Sequence, residues 1–192
     1  MILFNRNNLP ELSDFHPATV EIDGKTYKDV VAAFQAGKQK DGVEDPAFYQ
    51  VSKGDAKRLG KKVDIRPDWE KVKYNHMKKC LRAKFTQHPR LAEILLSTGQ
   101  DWLVEDTTGW HDNVWGVCSC PECIKKPSLN LQGQALMEIR AELRGEVGCP
   151  IYVDYVERDI QCEFDLVGDE VGDMKKKGTW AHTLNLLNRI RK

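Results

Sequence analysis

YKDVVAAFQAGK, residues 27–38, is the stretch on which the reading of the fold turns. Its periodicity predicts a helix in which Val31, Phe34 and Lys38 share one face at spacing i, i+3, i+7. Gln35 lies within two turns of the same face. That face begins apolar and ends in an amide and an amine. A core helix keeps apolar residues there, and a surface helix carries charge on all its exposed sides. Lys38 then has two readings. One is a snorkelling side chain whose stem covers the core. The other is an amine partly removed from water, its pKa lowered, available as a nucleophile toward a carbonyl carbon.

Working outward, residues 1–4 form a short strand. Residues 19–22 alternate, Asp23-Gly24 is a tight-turn signal, and Thr26-Tyr27 begins a return strand. The LPELSDFHP segment between them is a loop. Downstream, Asp45-Pro46 marks a helix start, with a break near Gly54 and a restart through DAKRLG. Asp68 caps the next helix, whose inner stripe is Trp69, Val72, His76, Met77, Cys80, Leu81 and Lys84. Lys84 is a second lysine at the end of an apolar face. His88-Pro89 opens a short helix with Leu91, Ile94 and Leu95 inward, closing near Gly99. Residues 129–143 return to helix, with Leu136, Ile139 and Leu143 on the core side and Arg140 flanking them. From Gly145 the chain changes: alternation and acids suggest a hairpin, and residues 180–192 a final helix, an extension for packing or dimerisation. The expected architecture is mainly α (α+β). One compact helical domain over residues 1–147 carries a small N-terminal β element, and residues 148–192 form a hairpin-plus-helix extension.

Composition bounds the function. The 192 residues are 41% hydrophobic and 30% charged, which describes a globular chain able to bury a core. Lysine plus arginine balance aspartate plus glutamate at 29 each, which argues against gripping duplex nucleic acid over many phosphates. A local basic pocket for one or two phosphates remains compatible with that balance. No apolar run is long enough to span a bilayer. The start, MILFNRNN, lacks the pattern of a signal peptide, so a cytoplasmic location is expected. The six cysteines are then expected as thiols or metal ligands rather than disulfides.

Residues 101–128 are a second focus. Trp102, Trp110 and Trp115 fall close together, with Glu105, His111, Asp112 and three cysteines among them. A long irregular segment in a compact domain is often functional. Indoles stack on flat heterocycles, and a carboxylate beside an aromatic wall is suited to acid or base work. The plainer alternative has the tryptophans in the core and Asp112 capping a turn. Cys118, Cys120 and Cys123 form C-x-C-x-x-C, tight enough for three thiolates to reach one zinc ion. A fourth ligand would be His111, the nearest in sequence, or Cys80, Cys149 or Cys162; the alternative is a loop of free cysteines. No glycine-rich phosphate loop and no G-x-S-x-G elbow occur. Phosphate contacts would come from scattered cations such as Arg6, Arg58, Arg66 and Arg140. Asn130 and Gly133, at a helix start, would face a phosphate or ribose.

Several ordered segments carry a resemblance. LSDF at 12–15, AFQAGK at 33–38, DAKRLG at 55–60, DW at 68–69, KF at 84–85, TG at 98–99, LVE at 103–105, WHDNVWG and N-L-x-G-x-x-L-M-x-I-R at 130–140 follow the order seen in NADAR-domain proteins. The resemblance covers about residues 1–145 and includes a subset carrying C-x-C-x-x-C after the WG pair. The family is mainly helical and includes N-glycosidases. Some cleave phosphorylated riboflavin-pathway intermediates at the ribosyl C–N bond, and others remove ADP-ribose from guanine in nucleic acid. The resemblance implies Lys38 as the nucleophile and Asp112 as the acid or base, with Glu105 a further candidate acid. It implies aromatic walls from Phe34, Trp69 and Trp115, with Trp110 a further substrate-binding candidate. It implies phosphate or ribose contacts from Asn130 and Arg140; Arg6, Gln35, Lys84 and Gly133 are further substrate-binding candidates. No cofactor is required for that chemistry. One departure matters: the family usually writes S-V-E-x-A-F-Q-A, with a glutamate where this chain has Val31. An impaired ADP-ribose or nucleotide reader, or a zinc-stabilised interaction protein, are the rival expectations.

Overall fold

The computed structural model describes residues 1–40, 43 and 45–146. The expected C-terminal hairpin and helix, with any role in dimerisation, lie outside the described residues. The architecture is mainly α with a few short strands. The helices are α1 (Val30–Ala36), α2 (Ala47–Gln50), α3 (Lys53–Gly60), α4 (Trp69–Gln87), α5 (Pro89–Ser97) and α6 (Leu131–Leu143). The strands are β1 (Ile2–Phe4), β2 (Val20–Ile22), β3 (Lys25–Tyr27) and β4 (Leu103–Glu105). Among the described residues no helix is long and apolar enough to cross a membrane.

The hairpin β2–β3 pairs antiparallel, Val20 opposite Tyr27 and Ile22 opposite Lys25. Its turn needs positive φ at both central positions, and Asp23 (53°) and Gly24 (73°) supply it. The segment 27–38 differs from expectation at both ends. Tyr27 closes β3, and helix α1 begins only at Val30 because Asp29 caps it, accepting from the Ala32 N–H at 2.8 Å. Lys38 lies beyond the helix end, in the turn that follows. Further along, Gly54 is inside α3 rather than at a break. Asp68 precedes α4, but its carboxylate is held by Arg66 and does not cap the helix.

Helix α4 is the axis of the molecule. It packs against α1, α5, α6 and β2. Met77, Cys80, Leu81 and Phe85 are buried along one side, each of the larger ones stabilising the fold by about 1.5–3 kcal/mol. Val72 and His76, expected inward, are only half-buried, while Tyr74 and Phe85 are inward. Helix α6 is buried through residues 131–140, polar side chains included. Burial of such groups demands partners. Glu138 accepts from the Tyr74 hydroxyl at 2.8 Å and pairs with Lys78. Arg140 donates to Thr98 Oγ1 at 2.7 Å.

Strand β4 was not separable from loop by pattern, because its three residues are all buried and show no alternation. It pairs parallel with β1, Ile2 against Leu103 and Phe4 against Glu105. The start of α6 is fastened to it. Asn130 adopts a left-handed backbone (φ 50°), donates to the Leu103 carbonyl at 2.9 Å and accepts from the Glu105 N–H at 3.1 Å. Gly133 lets the helix approach: a Cβ there would lie 2.2 Å from the Leu103 carbonyl oxygen. This junction fixes Glu105 at the edge of a cavity.

Candidate active site

The cavity has a volume of about 290 Å³ and opens between α1, α3, β4, the N-terminal loop and the tryptophan loop. Lys38 and Asp112 both line it, as do Glu105, Arg6, Phe34, Gln35, Trp110 and Trp115. Val31 lines it too, so the family's missing glutamate would have faced this space.

Phe34 is the centre of the aromatic wall. Its ring lies 5.3 Å from Trp115, edge to face, and 5.1 Å from Trp69. Trp69 backs Phe34 from behind and is not itself a lining residue. The Lys38 amine sits 6.0 Å from the Phe34 ring centre and 5.9 Å from that of Trp69. Its backbone is held on both sides, its N–H donating to Gln35 and its carbonyl accepting from Arg66. Burial lowers the pKa of this amine, and nearby Lys57 adds to the shift. A larger neutral fraction makes the amine a better nucleophile.

Three carboxyls face the same space. Glu105 is buried, and burial raises its pKa to about 8, with Asp14 and Asp112 pushing the same way. It is therefore mostly protonated at neutral pH and able to donate. Asp14 is also raised by burial, against the pull of Lys57, Lys84 and Arg6. Asp112 does cap a turn: Oδ1 accepts from Val114 at 2.7 Å and Trp115 at 3.0 Å. The turn-capping half of the plainer reading holds, and the residue also lines the cavity. Its carbonyl accepts from the Thr107 hydroxyl, which fixes the loop beneath it.

Cations and amides complete the lining. The Arg6 guanidinium stacks 3.5 Å over the Phe15 ring and lies 5.2 Å from Trp110. Lys57 and Lys61 of the α3 region also face in, so the acids are opposed by four cations. Gln35 Oε1 and Gln132 Nε2 are buried and lack a hydrogen-bond partner. The Gln35 amide oxygen packs against Gly60 of α3, where a Cβ would lie 2.1 Å from it, while Gln35 and Gln132 both contribute to the cavity lining.

Four expected contact residues lie elsewhere. Lys84 is fully buried, and its amine donates to the Glu11 and Ser13 carbonyls at 2.6 and 2.8 Å. It positions the loop that carries Asp14 rather than lining the cavity. Arg140 is spent on Thr98, and Asn130 and Gly133 on the β4 junction, so none of the three is presented to a phosphate or ribose. Asp14, Phe15, Lys57, Lys61 and Gln132 also line the cavity. Asp14 and Phe15 belong to LSDF, Lys57 to DAKRLG and Gln132 to the N-L-x-G run, so the ordered motifs held the signal without the roles. Asp29, two residues before Val31, serves the helix cap and the Lys53 N–H.

Residues 3–144 match the model of the NADAR domain. The chain belongs to the NADAR family. N-glycosidase YbiA of Escherichia coli K12 is 35% identical over 136 residues, covering 69% of this chain and 81% of that protein. An N-glycosidase of Nostoc punctiforme is 32% identical over 138 residues, covering 69% and 84%. The NMR structure of Escherichia coli YbiA superposes with a TM-score of 0.65 at 34% identity, covering 76% of this chain and 85% of that one. The NADAR fold thus spans the described residues almost completely.

Proposed function

We propose that this NADAR protein is an N-glycosidase that hydrolyses the ribosyl C–N bond of an ADP-ribosylated base, guanine in nucleic acid, or of a related ribosyl-phosphate compound. The observation that carries the reading is one cavity shared by Lys38, Glu105 and Asp112, with an aromatic wall and the Gln35 and Gln132 side chains beside them. Kinship with relatives named N-glycosidases supports the reaction class.

The chemistry follows from the groups present. A flat base lies along Phe34 and Trp115, with Trp110 at the rim, and Gln35 and Gln132 meet its polar edge. Arg6, Lys57 and Lys61 offset phosphate charge. Glu105 in its neutral form gives a proton to the leaving nitrogen, and the C–N bond breaks with its electrons going to the base. The positive charge that develops at the ribose C1 is stabilised by the Asp112 carboxylate. The Lys38 amine bonds to C1 and loses a proton to the ionised carboxylate of Glu105; the C1–O4 bond then breaks, O4 taking that proton back from Glu105 as the C1=Nζ Schiff base forms on the opened ribose. Water then adds to C1, the C1–Nζ bond breaks, and the free sugar and amine are restored. The net change is one water consumed and one base released. The test is incubation of the full chain with ADP-ribosylated guanine oligonucleotide, NAD and a ribosylated pyrimidine phosphate, with product identification. Release of base from at least one ribosyl substrate is expected; no release from any of the three contradicts the proposal.

Val31 favours one second reading, a module that binds ADP-ribose without cleaving it. Tight calorimetric binding without turnover, and cleavage gained in Val31→Glu, would support the reader.

A further inference from the structure

The tryptophan loop holds a second cluster, centred on His111, whose sequence neighbours Trp110 and Asp112 line the cavity. We propose that His111, Cys118, Cys120 and Cys123 form a closed four-ligand site for one zinc ion, and that this ion clasps the loop carrying Trp110 and Asp112.

The spacing of the donors suits a four-coordinate site. One donor atom from each of the four residues lies within 4.8 Å of the others. His111 Nδ1 is 3.5, 3.3 and 3.7 Å from the sulfurs of Cys118, Cys120 and Cys123. Zinc with ordinary bond lengths to sulfur and imidazole nitrogen separates its ligand atoms by roughly 3.5–3.8 Å. The three nitrogen–sulfur spacings therefore already match those of a zinc site. Three thiols and one imidazole are a soft set, which selects zinc over the hard cations that oxygen ligands hold. Four protein ligands leave no open position, so the site is structural rather than catalytic.

The surroundings are built for the same purpose. The Cys123 N–H points at the Cys120 sulfur at 3.4 Å. Asn113 ties the two ends of the cluster, accepting from the Cys118 N–H at 3.0 Å and donating to the Cys123 carbonyl at 3.1 Å. Such contacts orient ligands in metal sites. His111 itself has a left-handed backbone, φ 59°, an uncommon conformation that presents its ring to the sulfurs. A disulfide does not account for the arrangement, since pairing any two thiols strands the third together with the imidazole.

The consequence reaches the cavity through the chain. Trp110 and Asp112 are the immediate neighbours of His111, and both line the cavity. Between β4 and α6 the chain has no helix, and only Val117 is a buried aliphatic side chain there. A segment with so little core needs another tie. The ion supplies it, joining His111 to the CSCPEC turn.

The site itself is independent of the glycosidase reading, and its test uses no substrate. Full-length protein purified under reducing conditions without chelator is assayed for metal by elemental analysis. About one zinc per chain is expected, falling to below about a tenth of that in Cys118→Ser and in Cys120→Ser. Cys149→Ser and Cys162→Ser should keep the wild-type ratio. Cobalt(II) exchanged into wild-type protein should give a thiolate charge-transfer band with tetrahedral ligand-field bands. That measurement decides the matter even where a ligand variant fails to fold. Substoichiometric zinc together with no cobalt spectrum, or zinc retained by both ligand variants, overturns the proposal.

Discussion

Lys38 and Lys84 sit at the ends of two apolar stretches that look alike in sequence, and the structure puts them to opposite uses. Lys84 is sealed in and satisfied: two carbonyls, of Glu11 and Ser13, accept from its amine. Lys38 is half-buried, touches aromatic faces, and its amine has no hydrogen-bond acceptor among the described residues. Burial lowers the pKa of both, that of Lys84 to about 7. A depressed amine pKa therefore does not by itself mark a nucleophile. What distinguishes the two is whether the amine is already spent on backbone and whether open space lies in front of it.

The comparison is sharpened first by Lys38→Ala. This variant should keep its melting temperature within a few degrees and lose about 10³-fold or more in base release, read by chromatography of product. Turnover near that of wild type would return Lys38 to a covering role. Glu105→Gln should cost about 10²-fold, since it removes the proton donor while keeping the shape. The pH profile carries the same assignment. With the Glu105 pKa at about 8, kcat/KM should fall as pH rises through that value. Stability moves in the same direction. The folded pKa lies above the ordinary carboxyl value of about 4.5, so the contribution is complete below that pH and lost as pH rises through about 8. Denaturant titrations should show that loss in wild type and a flatter profile in Glu105→Gln.

Lys84→Met should do the reverse of Lys38→Ala. It removes the donor to the Glu11 carbonyl and one of the two donors to the Ser13 carbonyl, which keeps the His16 N–H, costing about 1–3 kcal/mol in urea unfolding, while activity measured well below the melting temperature stays close to wild type. A large loss of kcat with unchanged stability would place Lys84 in the chemistry instead. The smallest expected effect is at the rim. Trp110→Ala should raise KM by about tenfold with kcat little changed, because one stacking surface is lost and the reacting groups stay in place.

Much of the fold was legible in the chain. Asp23-Gly24 announced the hairpin, Pro89 a helix start, and the spacing of Met77, Cys80, Leu81 and Lys84 the inner face of α4. These signals are local. What escaped was set by distant partners. The acceptors of Lys84 lie more than seventy positions away, at Glu11 and Ser13. Arg140 looked like a phosphate ligand because nothing near it in sequence shows Thr98 waiting across the α5–α6 contact. Asn130 is polar at a helix start, as an anion site requires, yet its side chain is consumed by β4, a strand too short to announce itself. The meeting of Lys38 with Asp112 was legible only as a spatial expectation, and the cavity bears out their proximity.

The central claim is a covalent one, that the Lys38 amine reaches the ribose carbon while Glu105 releases the base. Borohydride quenching of the enzyme during turnover, followed by peptide mass spectrometry, tests it most directly. The expected result is a reduced sugar adduct on the peptide containing Lys38, absent when borohydride or substrate is omitted. Base release with no adduct on that peptide, or an adduct carried by Lys57, Lys61 or Lys84 instead, would contradict the account.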